Sequence, residues 1–226
     1  MARTRNLETH AVRRDAFVDV AQRLIATKGY EAFSIQDVLD ELDASKGAFY
    51  HYFGSKGDLL EAVVERMADA VEASWGAVMA RTDLTAAERL QGIFETSAQY
   101  KNARRDLSLA ILEAWLSDNN AVTRDKLRAM VRGRMTGVLA TILREGLERG
   151  EFTATDPEAT ANVLVALLLG GQEDAAELFL ARQADTIPYE AVERHFAAFS
   201  EALGRVLGLP GSLWLADPTT LRLWFD

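Results

Sequence analysis

Residues 34–56 read SIQDVLDELDASKGAFYHYFGSK, and the reading of this stretch decides the fold of the N-terminal part of the chain. Ser34 is placed to cap a helix: its hydroxyl can accept the backbone N–H of Asp37, whose carboxylate offsets the positive helix end. Ile35, Val38, Leu39 and Leu42 then recur along one apolar stripe. Asp43-Ala44 breaks the helix, with Asp43 at the C-terminal cap, where Asp is among the few non-glycine residues that tolerate a left-handed backbone. Ser45 caps a second short helix, on which Phe49, Tyr52 and Phe53 share the inward stripe. Lys46, Gly47, Tyr50 and His51 face away from the core, with Ala48 at its edge.

That outward face suits insertion into a DNA major groove. Gly47 and Ala48 let the helix start approach base edges, Ala48 can lie against a thymine methyl, and the N–H groups around Ser45 can meet a phosphate. Lys46 can reach a guanine edge or a phosphate. Tyr50, His51 and Lys56 are placed for backbone contacts, which fix register rather than read sequence. A plainer reading stands beside each: Tyr52 and Phe53 as core, and a single Lys or His as solvated. Taken together the constellation predicts a helix-turn-helix that binds double-stranded DNA.

The segments KGYEAFSIQDV and SKGAFYHYFGSKGDLL resemble the N-terminal domain of the TetR family of transcriptional regulators, over roughly residues 13–64. The resemblance implies operator contacts from Lys46, Gly47, Ala48, Tyr50, His51 and Tyr52, and phosphate contacts from Ser34 and Lys56. Two departures bear on packing: Leu42-Asp43-Ala44 stands where many members have Ala-Gly-Val, and Leu39 stands where a small residue is common.

Composition is compatible with such a protein. A chain of 226 residues, 49% of them apolar and four of them Pro, reads as globular. The absence of cysteine excludes disulfides and thiol catalysis and fits a reducing compartment. With a polar N-terminus and a longest strongly apolar run confined to 163–169, no secretory signal or membrane span is expected, and the localisation expected is cytoplasmic. The net charge of −9 is unevenly spread. Residues 1–57 carry eight basic and eight acidic side chains, leaving 17 against 26 beyond them. The first 28 residues hold six basic and three acidic ones, and Arg3 and Arg5 are expected on an arm able to reach a phosphate or the minor groove.

Periodicity predicts an all-α chain of about nine helices: 12–28, the two short helices, a long one from Lys56 to about Trp75, and others near 85–101, 106–117, 121–149, 157–182 and 189–207. Pro157 and Pro188 sit where a first turn accepts proline. The division expected is 1–57 for DNA binding and 58–226 for a larger helical domain, with the fourth helix as a rigid connection.

For the larger domain the resemblance implies a small-molecule effector. Candidate lining residues are Trp75, Met79, Phe94, Tyr100, Trp115, Met130 and Met135, each with plain core as its simpler reading. Glu113, inside the apolar run 107–116, is a candidate polar group, with Arg134 as its partner. The run 163–169, with Val163 and Leu167, is apolar on every side. Gly170-Gly171 permits close approach, and Val192, Phe196, Phe199, Leu203 and Val206 form a heptad seam. The resemblance implies that these two last helices pair in a four-helix homodimer interface, and a palindromic operator with it. An enzyme is not expected, since His10, His51 and His195 lie apart and no metal-binding His spacing occurs; no metal or cofactor is expected. A protein that associates with DNA non-specifically is the remaining alternative. The tail, with Trp214, Trp224 and Phe225, is expected to dock on the body or on a partner subunit, a membrane contact being the other reading.

Overall fold

The computed structural model describes the backbone of residues 2–117, 120–153 and 156–226, and side chains from residue 10 onward outside the same gaps. Among the described residues it is all-helical, with eleven helices. They fall into two compact units, Met1–Ala70 with Arg104–Leu127, and Val71–Ala103 with Arg128–Asp226.

The first unit contains α1 (Ala2–Lys28), α2 (Ile35–Leu42), α3 (Lys46–Tyr52), the first part of α4 (Lys56–Ser74), α7 (Arg105–Leu116) and the start of α8 (Ala121–Glu148). Phe17, Ile25, Phe33, Val38, Phe49 and Leu59 are fully buried at its centre, and Leu107, Ala110 and Ala114 of α7 close the same core. A boundary at residue 57 therefore cuts through this unit: Leu59, Leu60 and Val63 point their apolar stripe at the short helices, so the hydrophobic effect keeps them together. Helix α1 begins at Ala2 rather than near residue 12, because residues 2–11 hold neither Pro nor Gly to stop it. The backbone carrying Arg3 and Arg5 is thus helical, and the reach expected of their side chains lies outside the described residues.

The second unit contains the end of α4, α5 (Gly76–Met79), α6 (Ala86–Asn102), the rest of α8, α9 (Pro157–Gln183), α10 (Tyr189–Leu207) and α11 (Pro218–Phe225). Leu90, Ile93, Ile142, Leu143, Val165, Leu203 and Leu207 form its core. Arg89, 4% exposed, is held there by Glu145 at 2.6 Å. The two helices beyond the nine anticipated are α5, a single turn, and α11. The latter carries a start signal: Asp217 accepts the N–H groups of Thr219 and Thr220 at 2.8 and 3.0 Å, with Pro218 in the first turn.

Helix α11 docks the tail on the body of its own unit. Phe225 packs edge-on against Phe179 and Phe196 at 6.3 and 5.7 Å, its carbonyl accepts from Arg182 Nε at 3.0 Å, and the Trp224 indole donates to Asn102. Upstream, Leu213 N donates to Ser200 O at 3.1 Å and Trp214 N to Gln91 Oε1 at 3.0 Å. No helix among the described residues is long and apolar enough to cross a membrane.

Candidate nucleic-acid interface

The interface is built from two capped turns. Ser34 and Asp37 form a reciprocal capping box: Ser34 Oγ accepts from Asp37 N at 3.2 Å, and Asp37 Oδ2 accepts from Ser34 N at 2.7 Å and from the Ser34 hydroxyl at 2.5 Å. These bonds, with Lys28 Nζ 3.0 Å from the other oxygen, hold the Asp37 carboxyl well below the ordinary carboxylate range. Asp43 adopts φ 45°, ψ 50°, the left-handed C-cap that the sequence predicts, and Ala44 N returns to Leu39 O at 3.0 Å. Ser45 then caps α3 by accepting from Ala48 N at 3.2 Å.

Helix α3 is anchored by its buried side. Phe49 and Phe53 are in the core, and Phe17 of α1 meets the rings of Phe49, Tyr52 and Phe53 at 5.8, 5.7 and 6.1 Å. The same rotation leaves Ser45, Lys46, Gly47, Tyr50 and His51 exposed, Ala48 and Tyr52 half-buried, and Tyr50 57% accessible. Ser34 is also exposed. A Cβ built on Gly47 would find Ser45 Oγ at 3.8 Å and otherwise open space, so packing within the chain does not require glycine there.

Lys56 is half-buried. Its ammonium stands 4.5 Å above the rings of both Tyr30 and Phe33 and donates to Glu31 O at 3.4 Å. Burial lowers its pKa, opposed by Glu31 and Asp37. A neighbour that sequence spacing does not reveal is His10 of α1, whose ring lies 5.4 Å from His51 and 4.6 Å from Tyr52. Its one signal is register: it precedes Phe17 by seven residues, two helical turns on the same face.

Residues 17–63 match the model for bacterial regulatory proteins of the tetR family. The N-terminal domain belongs to the TetR family. The match marks the chain as a DNA-binding regulator of transcription. It is 27% identical over 150 residues to the Transposon Tn10 TetC protein of Escherichia coli, covering 66% of this chain and 73% of that one. It is 26% identical over 168 residues to the A-factor receptor protein of Streptomyces griseus, covering 70% of this chain and 52% of the receptor. A solved chain from Syntrophomonas wolfei shares the fold, with TM-score 0.58 at 18% identity over 85% of this chain and 95% of that one.

The candidates for a ligand site are not brought together in one unit. Glu113 and Trp115 fall in the first; Trp75, Met79, Phe94, Tyr100, Met130, Arg134 and Met135 fall in the second. Glu113 is exposed, because α7 buries Leu107, Ala110 and Ala114 and turns Glu113 to the opposite side. The buried-carboxylate argument therefore fails, and Arg134 pairs with Glu72 at 3.4 Å instead. Trp75 and Phe94 are core residues, the Trp75 indole donating to Ser97 Oγ at 2.8 Å, with Met79 and Met135 packed against the same cluster.

The helices read as a dimer face are also redistributed. Val192 and Leu203 are fully buried within the chain's own core, and Phe196, Phe199 and Val206 are half-buried. Gly171 serves an internal contact: a Cβ there would stand 2.6 Å from the Phe199 ring, so its absence lets α10 lie close on α9. The α10 seam thus packs mainly on its own chain. What α9 leaves outward is Val163, 50% accessible, with Ala166 and Gly170 exposed and Leu167 half-buried.

Proposed function

We propose that the chain is a ligand-responsive repressor that binds a palindromic operator in the cytoplasm as a homodimer, with α3 as its reading helix. The observation that carries this is the outward face of α3, where a cation, two hydrogen-bonding rings and a glycine that internal packing does not require stand together. Ser34, Ser45, Lys46, Gly47, Ala48, Tyr50, His51 and Tyr52 are the proposed contacts. Lys56 has a second task, bracing the loop that leads into α2 through its two ring contacts.

The homodimer reading is supported by the outward stripe of Val163, Ala166 and Gly170 on α9, which a second copy would remove from water. Two copies would set two reading helices about 34–36 Å apart, one turn of DNA. An effector that prefers a state with a different separation would weaken operator binding by its differential affinity for the two states. The relative named as a receptor supports an effector. Unbroken from Lys56 to Ser74, α4 is the proposed transmitter.

Selection of bound sequences from a random duplex pool, at a salt concentration that suppresses phosphate-only binding, tests this reading. Recovery of an inverted repeat is the expected result. Enrichment of no sequence, with affinity that vanishes as salt rises, would make the chain a non-specific DNA-associated protein.

A further inference from the structure

We propose that His10 and His51 form a proton-dependent site for one DNA backbone phosphate per chain, at the edge of the reading helix. The proposal rests on α3 being the DNA-facing helix and adds to it a residue of α1.

Position comes first. The two rings stand edge-on at 5.4 Å, and each is also within 5 Å of the Tyr52 ring, His10 at 4.6 and His51 at 4.9 Å. Both imidazoles are exposed. They are held there by the packing of Phe17 on α3, which fixes how α1 lies along that helix. An anion drawn to His51 therefore meets His10 as well.

The charged and titratable groups around the pair come from three helices. On α1, Arg13 and Arg14 follow His10 by three and four residues, one turn along. From α3 come His51 and the Tyr52 phenol. From α4 comes Glu65, whose carboxylate lies 3.9 Å from Arg14. Among the described residues no carboxylate pairs with either imidazole, whereas His195 has Asp174 at 3.7 Å. Imidazole changes charge between pH 5 and 8 in ordinary surroundings. Two imidazolium charges this close repel, and a phosphate placed against both removes that repulsion. Phosphate binding is thereby linked to proton uptake, and DNA affinity rises as pH falls through that range.

The test measures the affinity of the full-length chain for duplex DNA at pH 6 and pH 8, using the selected operator, or a mixed-sequence duplex at low salt. Wild type should bind about tenfold more tightly at pH 6, and its log K against log salt slope should be steeper there by about 1. His10→Gln and His51→Gln should each remove most of the pH dependence. His10→Arg should bind tightly at both pH values, and His195→Gln should behave as wild type. Equal pH dependence in wild type and His10→Gln, with circular dichroism unchanged, overturns the proposal. Unchanged binding by Lys46→Ala and Tyr50→Ala would overturn the reading of α3 itself, and the proposal with it.

Discussion

The ammonium of Lys56 sits 4.5 Å above the ring of Tyr30, so the first residue of α4 is fastened to the loop that precedes α2. Phe33 offers a second ring at the same distance, and burial with Glu31 nearby pushes the Tyr30 phenol up to about 12, keeping that ring neutral. Lys56→Met keeps the stem and removes the charge. It should cost about 1–2 kcal/mol in urea denaturation, the range of a partly desolvated cation–ring contact. A purely phosphate-binding lysine would leave stability unchanged and lower DNA affinity alone.

Gly47→Ala separates stability from binding. The site has room for a methyl and lies in a helix, so the variant should be more stable by a few tenths to about 1 kcal/mol. It should also bind operator more weakly, because the added methyl stands between α3 and the base edges. Denaturation and DNA titration of the same preparation would check both, and a variant that binds as wild type would place Gly47 away from DNA.

The capping box gives α2 a pH signature. The hydroxyl and backbone N–H of Ser34 bond to Asp37 and Lys28 adds its charge, all lowering the carboxyl's pKa. A depressed folded-state pKa contributes stability that is present above the unfolded value near 4 and lost as pH falls through the folded value. Wild type should therefore melt higher than Asp37→Ala at pH 7, and the two midpoints should converge below pH 4.

Removal of the Phe225 ring should loosen the second unit. The residue is 8% exposed between Phe179 and Phe196, and Phe225→Ala should cost about 3 kcal/mol. Trp224→Phe, which breaks the bond to Asn102, should cost about 1 kcal/mol. If both variants unfold as wild type does, the tail is not part of the packed unit.

The reading face of α3 was legible because caps and stripe are local. Ser34, Asp43 and Ser45 each act on backbone groups within three or four residues, and Phe49 and Phe53 mark the inward side by spacing alone. The exposure of Glu113 is not legible, for the opposite reason. The apolar run 107–116 does not say which side of α7 is covered, and Leu107, Ala110 and Ala114 take the core.

The sequence by itself determined the all-helical class, the helix-turn-helix, its caps and its exposed side chains, since these follow from interactions between residues a few positions apart. Tertiary structure alone decided what depends on distant residues meeting: that α7 and the start of α4 complete the first core, that Gly171 makes room for Phe199, that Arg134 finds Glu72, and that His10 comes to rest beside His51. Burial is a property of two surfaces, and the period of one helix describes only its own.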